Sequence, residues 1–206
     1  MLKRHSRKHL TFFEVRRKTG LALLIVLLGS MTVTAEEVAP LQKGDRDFGI
    51  WTAGGSDVGG GEDVRLWLLG GRYGTVLTAR HGIGFLSGNL EYVLEVIPAF
   101  VTVQDATVYG FDVTPLLLKW NFTSSRRIIP YFEAGAGILF TADDVPENAS
   151  PFNFTPQAGF GLHVLTSEKK GFTFVFKYVH ISNGGLASPN PGINSLQMHV
   201  GYNWFR

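Results

Sequence analysis

The sequence predicts an all-β protein, an eight-stranded antiparallel β-barrel that spans an outer membrane. Three observations point there. Beyond residue 35 no apolar run approaches the roughly 20 residues a membrane helix needs, and no 3.6-residue period is sustained. Stretches of about ten residues alternate between large apolar and small or polar side chains, with turn-rich segments between them. Cysteine is absent, which removes disulfides and thiolate metal sites as supports.

The first element is a targeting segment. Residues 1–20 carry seven Lys or Arg and one acid, Glu14. "LALLIVLLG" (21–29) follows, then "SMTVTA", with Val33 and Ala35 at the −3 and −1 positions of a cut. A basic region, a short apolar run and a small-residue site make a signal peptide. Residues 1–35 are therefore expected to be cleaved, leaving a single barrel domain over 36–206; an uncleaved anchor is the alternative. Cleavage removes seven of the 19 basic and one of the 17 acidic residues, and the remaining 12 and 16 give −4 with His neutral. No basic patch suggests nucleic acid.

The strands are expected at 47–54, 63–74, 88–98, 109–121, 129–140, 153–164, 172–182 and 195–205. "GGSDVGGGEDVR" near residue 54 reads as a turn; it lacks the Lys and following helix of a phosphate loop. In the third strand Tyr92, Leu94 and Val96 oppose Glu91 and Glu95. In the fifth, Glu133 shares a face with Gly135 and Gly137. In the sixth, Phe154, Ala158, Phe160 and Leu162 oppose Thr155, Gln157, Gly159, Gly161 and His163. In the seventh, Phe172, Phe174, Phe176, Tyr178, His180 and Ser182 oppose Thr173, Val175, Lys177 and Val179. In the eighth, Leu196, Met198, Val200, Tyr202 and Trp204 oppose Gln197, His199, Gly201 and Asn203.

Alternation alone fits a soluble, lipocalin-like barrel as well. The membrane reading is favoured by export without disulfides, by an even strand count and by Tyr178, Tyr202, Trp204 and Phe205 near strand ends, where an interfacial girdle belongs. Phe205 followed by Arg206 is also close to the terminal aromatic of outer-membrane barrels. In lipid a sheet must close to pair its backbone. Eight strands leave an interior that side chains fill. Glu91, Glu95, Glu133, Gln157 and Lys177 should then form a packed polar core rather than a pore.

Chemistry concentrates in "KYVHISNGGLASPNPGIN" (177–194). His180 and Ser182, two apart on a strand, share the apolar outward face. Polar groups there are costly unless partnered or interfacial. "NGG" and "PNPG" are turn signals, so one reading is a strand leaving the membrane. The longer string resembles the signature of the PagL family of outer-membrane lipid A 3-O-deacylases, with His, Ser, Asn and "NPG" in register. The likeness is strongest over 177–205 and extends loosely to "LEYVLEVIPAF" and "PYFEAGAGILF".

That resemblance implies an eight-stranded barrel in the outer membrane of a Gram-negative cell. It implies hydrolysis of the ester-linked acyl chain at the 3-position of lipid A, the lipid part of lipopolysaccharide. Ser182 would be the nucleophile and His180 the general base. Asn183, Asn190 or the backbone amides around Gly184 would stabilise the oxyanion. Where the family has a Glu orienting the His, this chain has Asn194, which is neutral but can still accept a ring N–H. As substitutes for that Glu, Glu133 faces the lumen and Glu168 lies at the opposite end, whereas Asp143, Asp144 and Glu147, in a loop, stay open as alternatives. No metal or other cofactor is expected, and a homodimer is an allowed partner. The rivals are a non-catalytic structural or lipid-binding barrel of this fold and a soluble ligand-binding barrel.

Overall fold

A computed structural model describes residues 41–59, 63–123 and 127–206. The expected signal peptide lies outside them. Eight strands run among the described residues: β1 (Arg46–Asp57), β2 (Arg65–Val76), β3 (Gly88–Val103), β4 (Thr107–Phe122), β5 (Ile128–Thr141), β6 (Phe152–Ser167), β7 (Lys170–Ile181) and β8 (Ile193–Phe205). Each pairs antiparallel with the next, and β8 pairs with β1 to close a barrel. Closure leaves no edge, which a sheet in lipid requires. All eight expected strands are present, most of them longer than the alternation indicated.

The wall sorts side chains by phase. Facing out are Phe48 and Ile50 of β1, Phe172, Phe174 and Phe176 of β7, and Met198 and Val200 of β8, all exposed. Facing in are charged groups with essentially no exposed surface. Lys177 Nζ stands 2.8 Å from Glu95 and 2.9 Å from Glu133. Lys119 Nζ stands 3.0 Å from Glu91 and 3.2 Å from Asp47. Arg72 pairs with Glu95 and lies 3.7 Å from Glu133. A soluble barrel would bury the phenylalanines and wet the ions, so this arrangement excludes that rival.

The ionic layer is sealed at both ends, which the alternation did not indicate. Trp51, Leu66, Leu68, Phe100, Ile181 and Ile193 belong to a buried apolar cluster at one end. Leu41, Val76, Ile129, Leu165 and Phe205 form a smaller one at the other. Phe205 is thus inside the wall, edge-on to His163 at 5.3 Å, and not in an outer girdle. Tyr202 and Trp204 do lie on the outer row, with ring centres 5.0 Å apart.

Two bulges carry the alternation through prolines. Between Ile97 and Phe100, β3 spends one residue more than β4, and Pro98 lies in that interval. Between Val113 and Leu116, β4 spends one residue more than β5, and Pro115 lies there. Proline has no N–H for a ladder and is found in sheets at bulges. The inward parity therefore changes, from Ile97 to Phe100 in β3 and from Thr114 to Leu117 in β4.

Candidate active site

Antiparallel succession places the connections 58–64, 104–106, 142–151 and 182–192 at one end of the barrel. The candidate residues gather there, His180 and Asn194 on the outer wall of β7 and β8 and the others in the 182–192 connection. His180 follows Phe172, Phe174, Phe176 and Tyr178 up the lipid-facing row of β7. Asn194, near the start of β8, is its direct partner in the ladder. Opposed residues in such a pair bring their Cβ atoms to roughly 4.5–5.5 Å, so their side chains meet.

They meet in a direct hydrogen bond. His180 Nδ1 lies 2.8 Å from Asn194 Oδ1. With the amide oxygen assigned to the ring side, Nδ1–H donates to it and Nε2 is left as an acceptor. That is the tautomer a general base needs. Tyr178 Oη–H donates to the same Oδ1 at 2.6 Å, so the amide oxygen takes two donors from one row of β7.

Two further residues set this geometry, and neither was read from the sequence. Asp57, the last residue of β1, accepts the backbone N–H of Asn194 on Oδ1 at 3.0 Å and that of Gly59 at 3.1 Å. Val58 N–H donates to the Asn194 carbonyl at 2.7 Å. Asp57 thus extends the β1–β8 ladder by one rung, using a carboxylate where a backbone carbonyl would stand. Gly192 is the second. A Cβ there would stand 2.5 Å from His180 Cε1, closer than packed atoms approach, so any larger residue would displace the ring from this position.

Ser182 lies just beyond β7, and its backbone is tied to β6. Phe154 N–H donates to the Ser182 carbonyl at 2.8 Å, and Ser182 N–H to the Phe154 carbonyl at 3.2 Å. The serine is 9% exposed. The structure brings His180, Asn194 and Tyr178 into contact, but gives no hydrogen bond between Ser182 Oγ and the ring. In enzymes without substrate such contacts are often long and tighten when substrate binds.

The expected oxyanion donors divide. Asn183 is buried and organises the loop: its N–H donates to Asn190 Oδ1 at 3.1 Å and its Nδ2 to the Pro189 carbonyl at 3.2 Å. Its Oδ1 accepts Gly185 N–H at 2.8 Å. Its side chain is therefore committed to holding the loop. Among the described residues, the Gly184 N–H and the Asn190 amide nitrogen have no partner. Gly184 and Gly185 hold positive φ, 64° and 82°, a region that costs other residues energy.

Glu133 lies inside the wall, in the ionic layer. Asp144 N–H donates to Asp143 at 2.9 Å in the 142–151 connection, and Glu168 occupies the turn at the far end. A cavity of about 130 Å³ adjoins Asn194, lined by Asp57, Gly59, Val64, Pro146 and Gly192. Further down the wall an apolar groove of about 240 Å³ runs between Phe160, Leu162, Phe174, Phe176 and Met198.

The family model described as Lipid A 3-O-deacylase (PagL) matches residues 57–203. No curated protein matches the chain. Among solved structures, the crystal structure of the outer membrane enzyme PagL is similar at TM-score 0.57 and 22% identity, covering 74% of this chain and 97% of that one. The solid-state NMR structure of outer membrane protein AlkL in lipid bilayers is similar at TM-score 0.46 and 16% identity, covering 84% and 95%. The fold is that of an outer-membrane β-barrel.

Proposed function

The chain belongs to the lipid A 3-O-deacylase (PagL) family, and from that premise we propose that it hydrolyses the ester-linked acyl chain at the 3-position of lipid A in the outer membrane. The observation that carries this is the His180–Asn194 pair, 2.8 Å apart on the lipid-facing wall, two residues from Ser182. A histidine hydrogen-bonded to an amide, two positions from a serine, has little structural purpose on a surface where polar groups are costly.

The chemistry is acyl transfer through serine. Ser182 Oγ attacks the ester carbonyl carbon as His180 Nε2 takes its proton. Charge on the carbonyl oxygen is stabilised by the Gly184 N–H, with the Asn190 amide as a second donor; one such donor is typically worth on the order of 10²–10³ in rate. The intermediate expels the sugar 3-oxygen, which takes the proton from Nε2. Water, deprotonated by the same nitrogen, then releases the fatty acid and frees Ser182. Asn194 holds the ring in the Nδ1–H form, and Asp57 holds Asn194 in place. The acyl chain lies along the outer wall toward the Phe174–Phe176–Met198 groove. The active unit is the chain from residue 36, freed of its signal peptide.

The neutrality of Asn194 favours a second reading, a barrel that binds lipid A without cleaving it, because an amide has no charge with which to stabilise the imidazolium. Mass spectrometry of lipid A incubated with the folded protein separates the two. Loss of one acyl chain with wild type, abolished by Ser182→Ala, is expected. Loss seen only with Asn194→Glu would mean a catalyst lacking its acid. No loss with any variant sinks the deacylase reading.

A further inference from the structure

The end of the barrel away from the site carries an unusual connection. Two of the three links there are short: 123–127 and 168–169. The third, 77–87, holds its apolar side chains out of the protein. Ile83 is 86% exposed, Phe85 78% and Leu86 52%. None is loosely tethered. His81 and Gly88 exchange two backbone hydrogen bonds of 2.9 Å, and Ser87 N–H donates to the Gly84 carbonyl to close a 3₁₀ turn over Gly84–Leu86. Arg80 Nε donates to Ser87 Oγ at 2.7 Å, and Thr123 N–H to the Ser87 carbonyl at 3.0 Å. Positive φ at Gly82 and Gly84, 95° and 58°, turns the segment outward.

Its position says what it faces. The His81 ring meets Trp120 edge-on at 4.9 Å, and Trp120 belongs to the outer row of β4 with Leu116 and Leu118. The connection therefore lies against the outside of the wall, continuous with the lipid-facing surface. This end also carries exposed Lys43, Arg46, Arg80, Lys169, Lys170 and Arg206, against Asp45 and Glu168. Rigidly presented apolar side chains beside a basic rim suit an anionic headgroup layer with acyl chains beneath it.

We propose that residues 83–86 form a membrane foot, inserting Ile83, Phe85 and Leu86 into the phospholipid leaflet at this end of the barrel while the basic rim meets its phosphates. The foot fixes how deep the barrel sits, and so the height at which the opposite end meets its lipid. The proposal does not depend on the deacylase reading.

The absence of cysteine makes the test clean. Ile83→Cys, Phe85→Cys and, in the short turn at the same end, Glu168→Cys each take one NBD fluorophore. The proteins are folded into phosphatidylethanolamine–phosphatidylglycerol vesicles. Labels at 83 and 85 should emit to the blue of the label at 168. Lipids brominated high on the acyl chain should quench them several-fold more strongly. Emission at 83 and 85 matching that at 168 overturns the proposal. Blue-shifted emission that brominated lipid fails to quench also overturns it, because a second copy or another protein would then cover the foot.

Discussion

Asn194 is the residue on which the site turns, and what it can do depends on neighbours that local sequence does not reveal. The pairing of His180 with Asn194 was legible, because period-two alternation and a hairpin place them on one face of adjacent strands; the position of Ser182, beyond the last residue of β7, was less so. Asp57 was not: it lies 137 positions from Asn194 in sequence and reaches it only because β1 closes against β8. Gly192 looked like a turn glycine; its role comes from the position of the imidazole. Both give sharp predictions on the deacylase reading. Asp57→Ala removes a charged acceptor worth about 1.5–3 kcal/mol, so kcat should fall roughly tenfold or more with KM little changed. Asp57→Asn keeps an acceptor and should recover most of the rate. Gly192→Ala should push the ring off Asn194 and lower kcat by on the order of 10²-fold, the scale of general-base catalysis. Kinetics on lipid A check both, with the heat-dependent gel mobility of a folded barrel as control. Unchanged kcat in Gly192→Ala would show that the His180–Asn194 contact is not used.

Strands were legible as elements and less so at their ends. The third was expected at 88–98 and runs to Val103; the sixth was expected at 153–164 and runs over Phe152–Ser167. Ladders continue past the membrane, where water wets either face and the alternation that marks a strand fades. The third expected strand stops at Pro98, a residue that cannot donate to a ladder. The structure instead absorbs it in a bulge, which changes the parity of the residues beyond it. Pro115 does the same in β4 and sends Lys119 inward to Glu91 and Asp47. Deleting Pro115 should therefore do more than remove a side chain. It would take out the extra residue and either shift the register or turn Lys119 toward lipid, a cost of about 2–4 kcal/mol at the midplane. Folding yield into vesicles should collapse, whereas Pro115→Ala, which keeps the residue count, should fold. Equal yields would mean that the bulge is not what sets the register.

At the scale of the whole molecule, burial is arranged inside out, with the charges at the centre of the barrel between two apolar clusters. Such an interior is stable only while each charge is answered. Lys177 answers two, Glu95 at 2.8 Å and Glu133 at 2.9 Å. Glu95 keeps Arg72 if the lysine goes, but Glu133 keeps only Arg72 at 3.7 Å. Glu133 is also held by charge alone: despite the closeness of Lys177, neither of its oxygens has a partner in hydrogen-bond geometry. The two ends of this pair should therefore respond unequally. Lys177→Met strands carboxylates in a sealed, low-dielectric interior and should destabilise by about 3–5 kcal/mol, as breaking a buried pair does. Glu133→Gln removes a charge that is poorly solvated by its surroundings, and Lys177 retains Glu95 and the Gln157 oxygen at 2.9 Å. Its cost should be much smaller, and adding it to Lys177→Met should recover part of the loss, since one stranded charge is gone. Urea unfolding in lipid vesicles measures all three, with tryptophan fluorescence as the probe. Equal losses for the two single variants, or additive losses in the double, would show that the layer is held by packing and not by the pairing of its charges.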